Sequence, residues 1–306
     1  MLRRAGIDSV RAFALLLACI SIVGCTPNIL VLGPPLPFRA VIGPVIVAHQ
    51  AGALEAPENT LAGVRHSIES GADWVEVSVT LSADDRVVVI GDDHLERTTN
   101  GQGLVRAKRL RELKRLSAGS PSLKPEQRAA LEALGLPVPL FAPNSVDEPI
   151  PTLTEVLEAT DAQVLVRLEP GTHVRRLAHG TVDAIVRARA DDRVALCSSE
   201  LELLERAHSR HGGLALFALA STLTDLNDAL VLPLQGVVVP ETIFDETMGT
   251  VPMGMAVWVG PLREPGRIEQ VALAGGHGIL TDLPKRVVKH LRPPVELHIR
   301  RPHERR

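Results

Sequence analysis

Short apolar runs and amphipathic stretches take turns along this chain. Apolar runs suited to strands fall at 45–48, 74–81, 87–90, 164–168, 194–196, 214–218, 236–239, 255–259 and 278–280. Between most of them lie stretches with apolar residues at helical spacing: 59–70, 153–159, 174–188, 199–209 and 265–274. Single strands separated by helices predict a parallel sheet covered by those helices. Eight or nine strands over roughly 250 residues predict a closed (β/α)8 TIM-type barrel, an α/β fold, rather than an open sheet. No G-x-G-x-x-G follows a strand and no phosphate-binding G-x-x-x-x-G-K-[ST] occurs, so a nucleotide-binding fold has no support.

One connection departs from the alternation. Only 82–86 join the second and third runs, too short for a parallel crossover and suited to a β-hairpin centred on Asp84-Asp85. Folding back here brings Ser78 towards Gly91, and Glu76 towards Asp92 and Asp93. Side-chain alternation puts Glu76, Ser78 and Thr80 on one face and Val75, Val77, Val79 and Leu81 on the other. That polar face is either solvated or turned into a site, and periodicity does not decide which. After the third run an inserted segment, 101–148, interrupts the pattern. It carries helix-like pieces at 110–116 and 125–134 and then a Pro-rich loop, and on a barrel top it would serve as a lid or a partner surface.

The two ends read differently from the body, which spans 45–291. Arg3 and Arg4 precede an apolar run over 12–23, too short for a membrane span and suited to a secretory signal. It ends in Ile22-Val23-Gly24-Cys25, which resembles the lipobox of a bacterial lipoprotein. The expectation is a signal peptide over 1–24, lipidation at Cys25 and a Pro-rich tether over 25–44. An exported chain, lipid-anchored to the bacterial cell envelope, follows; an ordinary signal with a chance Cys is the alternative. The tail, 292–306, holds five Arg and is either solvated or a basic arm against anionic headgroups.

Composition narrows the picture. The 306 residues are 45% hydrophobic and 23% charged, enough apolar matter for a large core and too much for a disordered chain. A net charge of −3, 2% aromatics and no Tyr argue against nucleic acid as a partner. Cys19, Cys25 and Cys197 form neither a disulfide framework nor a C-x-x-C zinc pair. Cys197 is expected to be a buried core thiol.

Sequence motifs then add a family. Ile46-Val47-Ala48-His49 leads into Ala56-Pro57-Glu58-Asn59-Thr60, followed by Gly71-Ala72-Asp73-Trp74-Val75-Glu76 and Arg97-Thr98-Thr99-Asn100-Gly101. Ile150-Pro151-Thr152-Leu153 and Thr281-Asp282-Leu283-Pro284 come later. In this order they resemble the glycerophosphodiester phosphodiesterase family, across essentially the whole body. The resemblance implies a TIM-type barrel that cleaves glycerophosphodiesters to glycerol phosphate and an alcohol. It also implies a divalent metal, Ca²⁺ or Mg²⁺, and two histidines as acid and base. Such chemistry neutralises the phosphodiester charge, deprotonates a nucleophile and protonates a leaving alkoxide.

The implied site positions are mostly substituted. His49 stands at the first histidine, but the Arg and Gly that should follow are Gln50 and Ala51, so a charged phosphate fork is lost. The metal-binding Glu-x-Asp is Glu76-Val77-Ser78. The second histidine position is Gly91, before Asp92, and His94 reaches the site only if the loop is rebuilt. The Glu-x-Lys of the fourth strand is Arg167-Leu168-Glu169, both charges inverted. Residues 167 and 169 share a strand face, so a guanidinium at Arg167 is expected between Glu76 and Glu169, standing in for the cation. No tight metal is expected.

Other candidates carry less. Glu58 either ties the first loop or serves the site, Asp282 is expected to shape the rim through loop hydrogen bonds, and Trp258 either floors the pocket or packs. His208 and His211, near a helix end, read as a solvated face. The favoured reading is a catalytically degenerate relative that binds a phosphorylated polyol or headgroup, or serves as an envelope scaffold. The alternative is an active phosphoric diester hydrolase with a rearranged site around His49.

Overall fold

A computed structural model describes residues 43–119, 125–136, 148–171 and 173–292. The expected signal, nearly all of the tether, Cys25 and the tail beyond Arg292 lie outside the described residues. The strands are β1 (Val45–Ala48), β2 (Trp74–Leu81), β3 (Val87–Val89), β4 (Gln163–Leu168), β5 (Val194–Ser198), β6 (Ala215–Leu219), β7 (Gly236–Val239), β8 (Ala256–Val259) and β9 (Gly278–Thr281). Eight of them run parallel in the order β1-β9-β8-β7-β6-β5-β4-β2, and β1 pairs again with β2 to close the barrel. β3 lies antiparallel on the upper part of β2, with Val79 opposite Val89 and Leu81 opposite Val87, the expected hairpin.

Ten α-helices are described: α1 (Leu61–Glu69), α2 (Leu110–Leu113), α3 (Pro125–Ala133), α4 (Leu153–Glu158), α5 (Val174–Arg187), α6 (Leu201–Arg210), α7 (Leu223–Ala229), α8 (Phe244–Thr250), α9 (Pro265–Leu273) and α10 (Pro284–Leu291). α1 starts two residues after the expected 59 because Thr60 is its cap, its hydroxyl accepting from Gly63 N at 3.0 Å. The pattern missed α7, α8 and α10, each of two turns or so, too short to show a helical period. Thr222, whose hydroxyl accepts from Asp225 N, was the local sign of α7.

Strand alternation sorts the core into two parts. Val75, Val77, Val79, Val164, Val166 and Leu168 face outward, under the helices. Val47, Trp74, Leu165, Cys197, Phe217, Trp258 and Leu280 face inward and fill the barrel. Trp258 meets Trp74 edge-on at 5.4 Å and Phe217 at 4.3 Å. A Cβ on Gly278 would stand 2.5 Å from Trp258 Cδ1, so only glycine leaves room for the indole. Trp258 is 1% exposed and packs in the plug, the second of the two places the sequence left open for it. Glu76 and Ser78, two and four residues after Trp74, continue its inward face above the plug. The polar face of β2 therefore points into the barrel mouth, buried at 1% and 0% exposure.

The inserted segment reaches the rim. Leu131 of α3, with Leu134 and Leu136, packs on Leu54 after β1 and Leu283 after β9. Its described part thus leans over the first and last loops of the mouth.

Candidate active site

The end of β1 makes the first wall. Gln50 and Ala51 take left-handed φ angles of 48° and 59°, a turn that β-carbons resist and that Gly52 completes at 79°. This turn throws His49 across the mouth. Its Nδ1 lies 2.6 Å from Asp282 Oδ1, and its Nε2 lies 3.5 Å from Glu76 Oε2. Asp282, fully buried one residue beyond β9, also accepts from Arg263 Nε at 2.7 Å. Asp282 was expected to shape the rim through loop hydrogen bonds. Its carbonyl does accept from Leu54 N in the loop after β1 at 3.1 Å, and its carboxylate in addition spans His49 and Arg263. Arg263, in the loop after β8, escaped the sequence reading because it belongs to no motif and nears Asp282 only when β8 and β9 pair.

Burial works to lower the His49 pKa, but the charges of Glu76 and Asp282 and the Asp282 hydrogen bond outweigh it and raise it above the ordinary value. Burial works to raise the Asp282 pKa, and His49 and Arg263 outweigh that and lower it. The two carboxylates therefore stabilise the charged ring relative to the neutral one.

The other wall is built by β2 and β4, paired so that Ser78 lies opposite Arg167. The Arg167 guanidinium extends between two carboxylates: Nη1 is 3.9 Å from Glu76 Oε1, and Nε is 3.2 Å from Glu169 Oε1. The contact to Glu169 is an ion pair without the alignment of a hydrogen bond. Glu76 also accepts from the Gln50 backbone N–H at 3.2 Å. Burial opposes the charge on Arg167, and Glu76 and Glu169 hold its pKa above normal nonetheless.

Between the walls lies a cradle of uncharged polar groups. A Cβ on Gly91 would stand 3.2 Å from Gln50 Nε2, 3.3 Å from Asn59 Nδ2 and 3.3 Å from Ser78 Oγ. Gln50 Oε1, Asn59 Nδ2 and Ser78 Oγ are buried and have no hydrogen-bond partner among the described residues. Asn59 itself sits at φ 56° and holds the Ser78 backbone N–H at 2.9 Å through Oδ1. Asn59 Nδ2 and Ser78 Oγ are donors without acceptors and suit the oxygens of a ligand, while Gln50 Oε1 is an acceptor without a donor and suits a ligand hydroxyl. Asn59 was quoted in a motif but not weighed as a site residue.

Two expected pocket residues share one partner, Arg97. Arg97 donates to both Glu58 oxygens at 2.7 and 2.6 Å and to Asp92 Oδ1 at 2.9 Å, and its Nε also meets Asp92. Glu58 and Asp92 are thus tied into the loop by one guanidinium. His94 is 65% exposed beside Glu96 and does not turn back to the position of Gly91. Cys197 is buried in the plug, its thiol pKa pushed up by burial, with Glu76 acting in the same direction.

The donor set does not fit the divalent metal that the resemblance implied. Hard dications take several oxygens, mostly carboxylate. Here the three positions hold one carboxylate (Glu76), one hydroxyl (Ser78) and a guanidinium (Arg167), and among the described residues no cluster of three or more His, Cys, Asp or Glu suits a metal.

A family model described as the glycerophosphoryl diester phosphodiesterase family matches residues 49–224. A glycerophosphodiester phosphodiesterase of Caldanaerobacter subterraneus subsp. tengcongensis is 36% identical over 126 residues, covering 41% of this chain and 44% of its own. One from Bacillus altitudinis is 32% identical over 177 residues, covering 56% and 60%. The chain spans about half the length of the curated relatives it matches. Among solved structures, an Oleispira antarctica phosphodiesterase in complex with the product sn-glycerol-3-phosphate superposes with a TM-score of 0.68 at 22% identity, over 81% of this chain and 97% of that one. A Silicibacter pomeroyi protein gives 0.68 at 20% identity, over 83% and 95%. These structural likenesses establish the barrel.

Proposed function

The chain belongs to the glycerophosphoryl diester phosphodiesterase family, and on that premise we propose that its mouth binds a phosphorylated polyol without cleaving it. One observation carries the reading: the Arg167 guanidinium lies between Glu76 and Glu169, among the positions where the resemblance puts metal ligands. Gly91 stands where the resemblance puts the second histidine, so His49 has no partner acid there. Losing a general acid forfeits roughly 10²–10⁴-fold in rate, and losing a metal removes several kcal/mol more of charge stabilisation. What remains suits recognition. The orphaned Asn59 and Ser78 groups offer hydrogen bonds to hydroxyl or phosphoryl oxygens and Gln50 Oε1 accepts from a hydroxyl, with Arg167 as a nearby cation.

The motif at Cys25 supports an exported, lipid-anchored chain at a bacterial cell envelope as part of the same proposal. A second reading keeps a hydrolase with a rearranged site. The His49–Asp282 contact of 2.6 Å favours it, since the pair still orients the imidazole.

Calorimetric titration of the chain with sn-glycerol 3-phosphate, taken from the Oleispira relative, tests the proposal. Saturable binding in EDTA that Arg167→Gln and Ser78→Val both weaken is expected. No heat at millimolar ligand, or binding that requires Ca²⁺, overturns it.

A further inference from the structure

Gly91 follows β3 by two residues, and its φ lies outside the left-handed region, so the backbone does not require glycine there. The missing side chain leaves space, and three side chains from different parts of the chain converge on it. Gln50 comes from the turn after β1, Asn59 from the loop before α1 and Ser78 from β2, at 4%, 3% and 0% exposure. Asn59 Oδ1 takes the Ser78 backbone N–H at 2.9 Å, which fixes the amide and leaves Nδ2 as a donor with no partner among the described residues. Gln50 brings Nε2 within 3.2 Å of where a Cβ at 91 would stand, and its Oε1 is buried without a donor. Ser78 Oγ, 3.3 Å from the same point, can donate or accept.

A group that fills this space has to accept from Asn59 and donate to Gln50. A hydroxyl does both, whereas an ionised phosphoryl oxygen only accepts and an ammonium only donates. Charge argues the same way. Glu76 accepts from the Gln50 backbone N–H at 3.2 Å, so a carboxylate adjoins the cradle. The guanidinium groups nearby are already shared with acids, Arg167 with Glu76 and Glu169, and Arg97 with Glu58 and Asp92. His49 lies between Glu76 and Asp282. A phosphate pushed into the cradle would bring a further anion against Glu76 without a cation of its own.

We propose that the cradle at Gly91 is a hydroxyl subsite, which takes the polyol end of the ligand and leaves its phosphoryl group outside. The inference rests on the binding reading above and adds which end of the ligand enters. The specificity it confers is for a free hydroxyl. A ligand with a methyl group at that place would strand Asn59 Nδ2 and Gln50 Oε1 against carbon.

Calorimetry of the full chain with sn-glycerol 3-phosphate and with n-propyl phosphate, which keeps the carbon chain and the phosphate but has no hydroxyl, tests it. Wild type is expected to prefer sn-glycerol 3-phosphate by roughly 10–100-fold. Ser78→Ala removes one oxygen, and Asn59→Asp keeps the Oδ1 contact while replacing the donor. Both are expected to bring the ratio of the two Kd values towards one. A wild-type ratio near one, or a ratio that both variants leave unchanged while each affinity falls, overturns the subsite and leaves the binding reading standing. Inorganic phosphate that binds wild type and is lost in Ser78→Ala would put the phosphoryl group in the cradle, and overturns the subsite as well. Binding of neither phosphate ester overturns the binding reading and the subsite together.

Discussion

The two walls of the mouth solve different problems with the same materials. On the β1–β9 side, His49 and Arg263 share the buried Asp282 through contacts of 2.6 and 2.7 Å. On the β2–β4 side, Arg167 reaches its two carboxylates at 3.9 and 3.2 Å and remains 31% exposed. The first wall is tight, directional and dry. The second is looser and wetter, a cation placed among anions with the small Ser78 and Gly91 beneath it. The difference teaches how a charged site survives substitution. Glu76 is 1% exposed, and a carboxylate so placed needs a positive neighbour whether that neighbour is a metal or a side chain.

If the tight wall matters most to stability, Asp282→Asn is the largest blow. It strips the charge partner from His49 and Arg263 together, and a loss of about 3–5 kcal/mol, read by urea unfolding, is expected from breaking a buried pair. Arg167→Leu breaks the looser wall. Its partial exposure and longer contacts reduce the expected loss to about 2–3 kcal/mol. Equal losses at the two positions would erase the contrast between the walls.

Gly91→His tests the cradle. The new Cβ meets Gln50 Nε2, Asn59 Nδ2 and Ser78 Oγ at 3.2–3.3 Å, so the Gln50 side chain must yield. An overpacking cost of about 1–3 kcal/mol is expected, relieved in part by adding Gln50→Ala. Additive single-variant costs would show that Gln50 and Gly91 do not share that space.

The pH dependence sharpens the first wall further. The raised His49 pKa contributes stability that is full below the ordinary histidine value and lost as pH rises through the folded value. The lowered Asp282 pKa contributes stability present above the ordinary carboxylate value and lost as pH falls through its folded value. The advantage of wild type over His49→Ala in urea unfolding should therefore shrink as pH rises above the ordinary histidine value, and the advantage over Asp282→Asn should shrink as pH falls below the ordinary carboxylate value. A His49 resonance that titrates below ordinary histidines by NMR contradicts this. The smallest effect is none. Millimolar Ca²⁺ should leave the urea midpoint unchanged, where an ion held at 100 times its Kd would add about 2.7 kcal/mol.

Much of the frame was legible because alternation is a local property. The parity of 74, 76 and 78, and of 165 and 167, is enough to place Glu76, Ser78 and Arg167 on the inner side once Trp74 and Leu165 are core. The exceptions have local causes. Helices of seven or eight residues, such as Leu223–Ala229, carry too few turns for their period to stand out. The site was less legible where partners meet only through closure. Asp282 is 233 residues from His49, and Arg263 stands in a loop with no motif. Arg97 was visible as a motif letter, yet its grip on Glu58, 39 residues away, needed the folded loop. The cradle at Gly91 was illegible for another reason: a glycine in sequence reads as a missing side chain, not as space that three buried amide and hydroxyl groups share.

Release of sn-glycerol 3-phosphate from glycerophosphodiesters by the full chain, in Ca²⁺, Mg²⁺ or EDTA and beside His49→Ala, tests binding without cleavage most directly. No release above the variant is expected under any of the three conditions. Metal-dependent turnover abolished by His49→Ala would contradict it, and would mean that Arg167 yields its place to an ion.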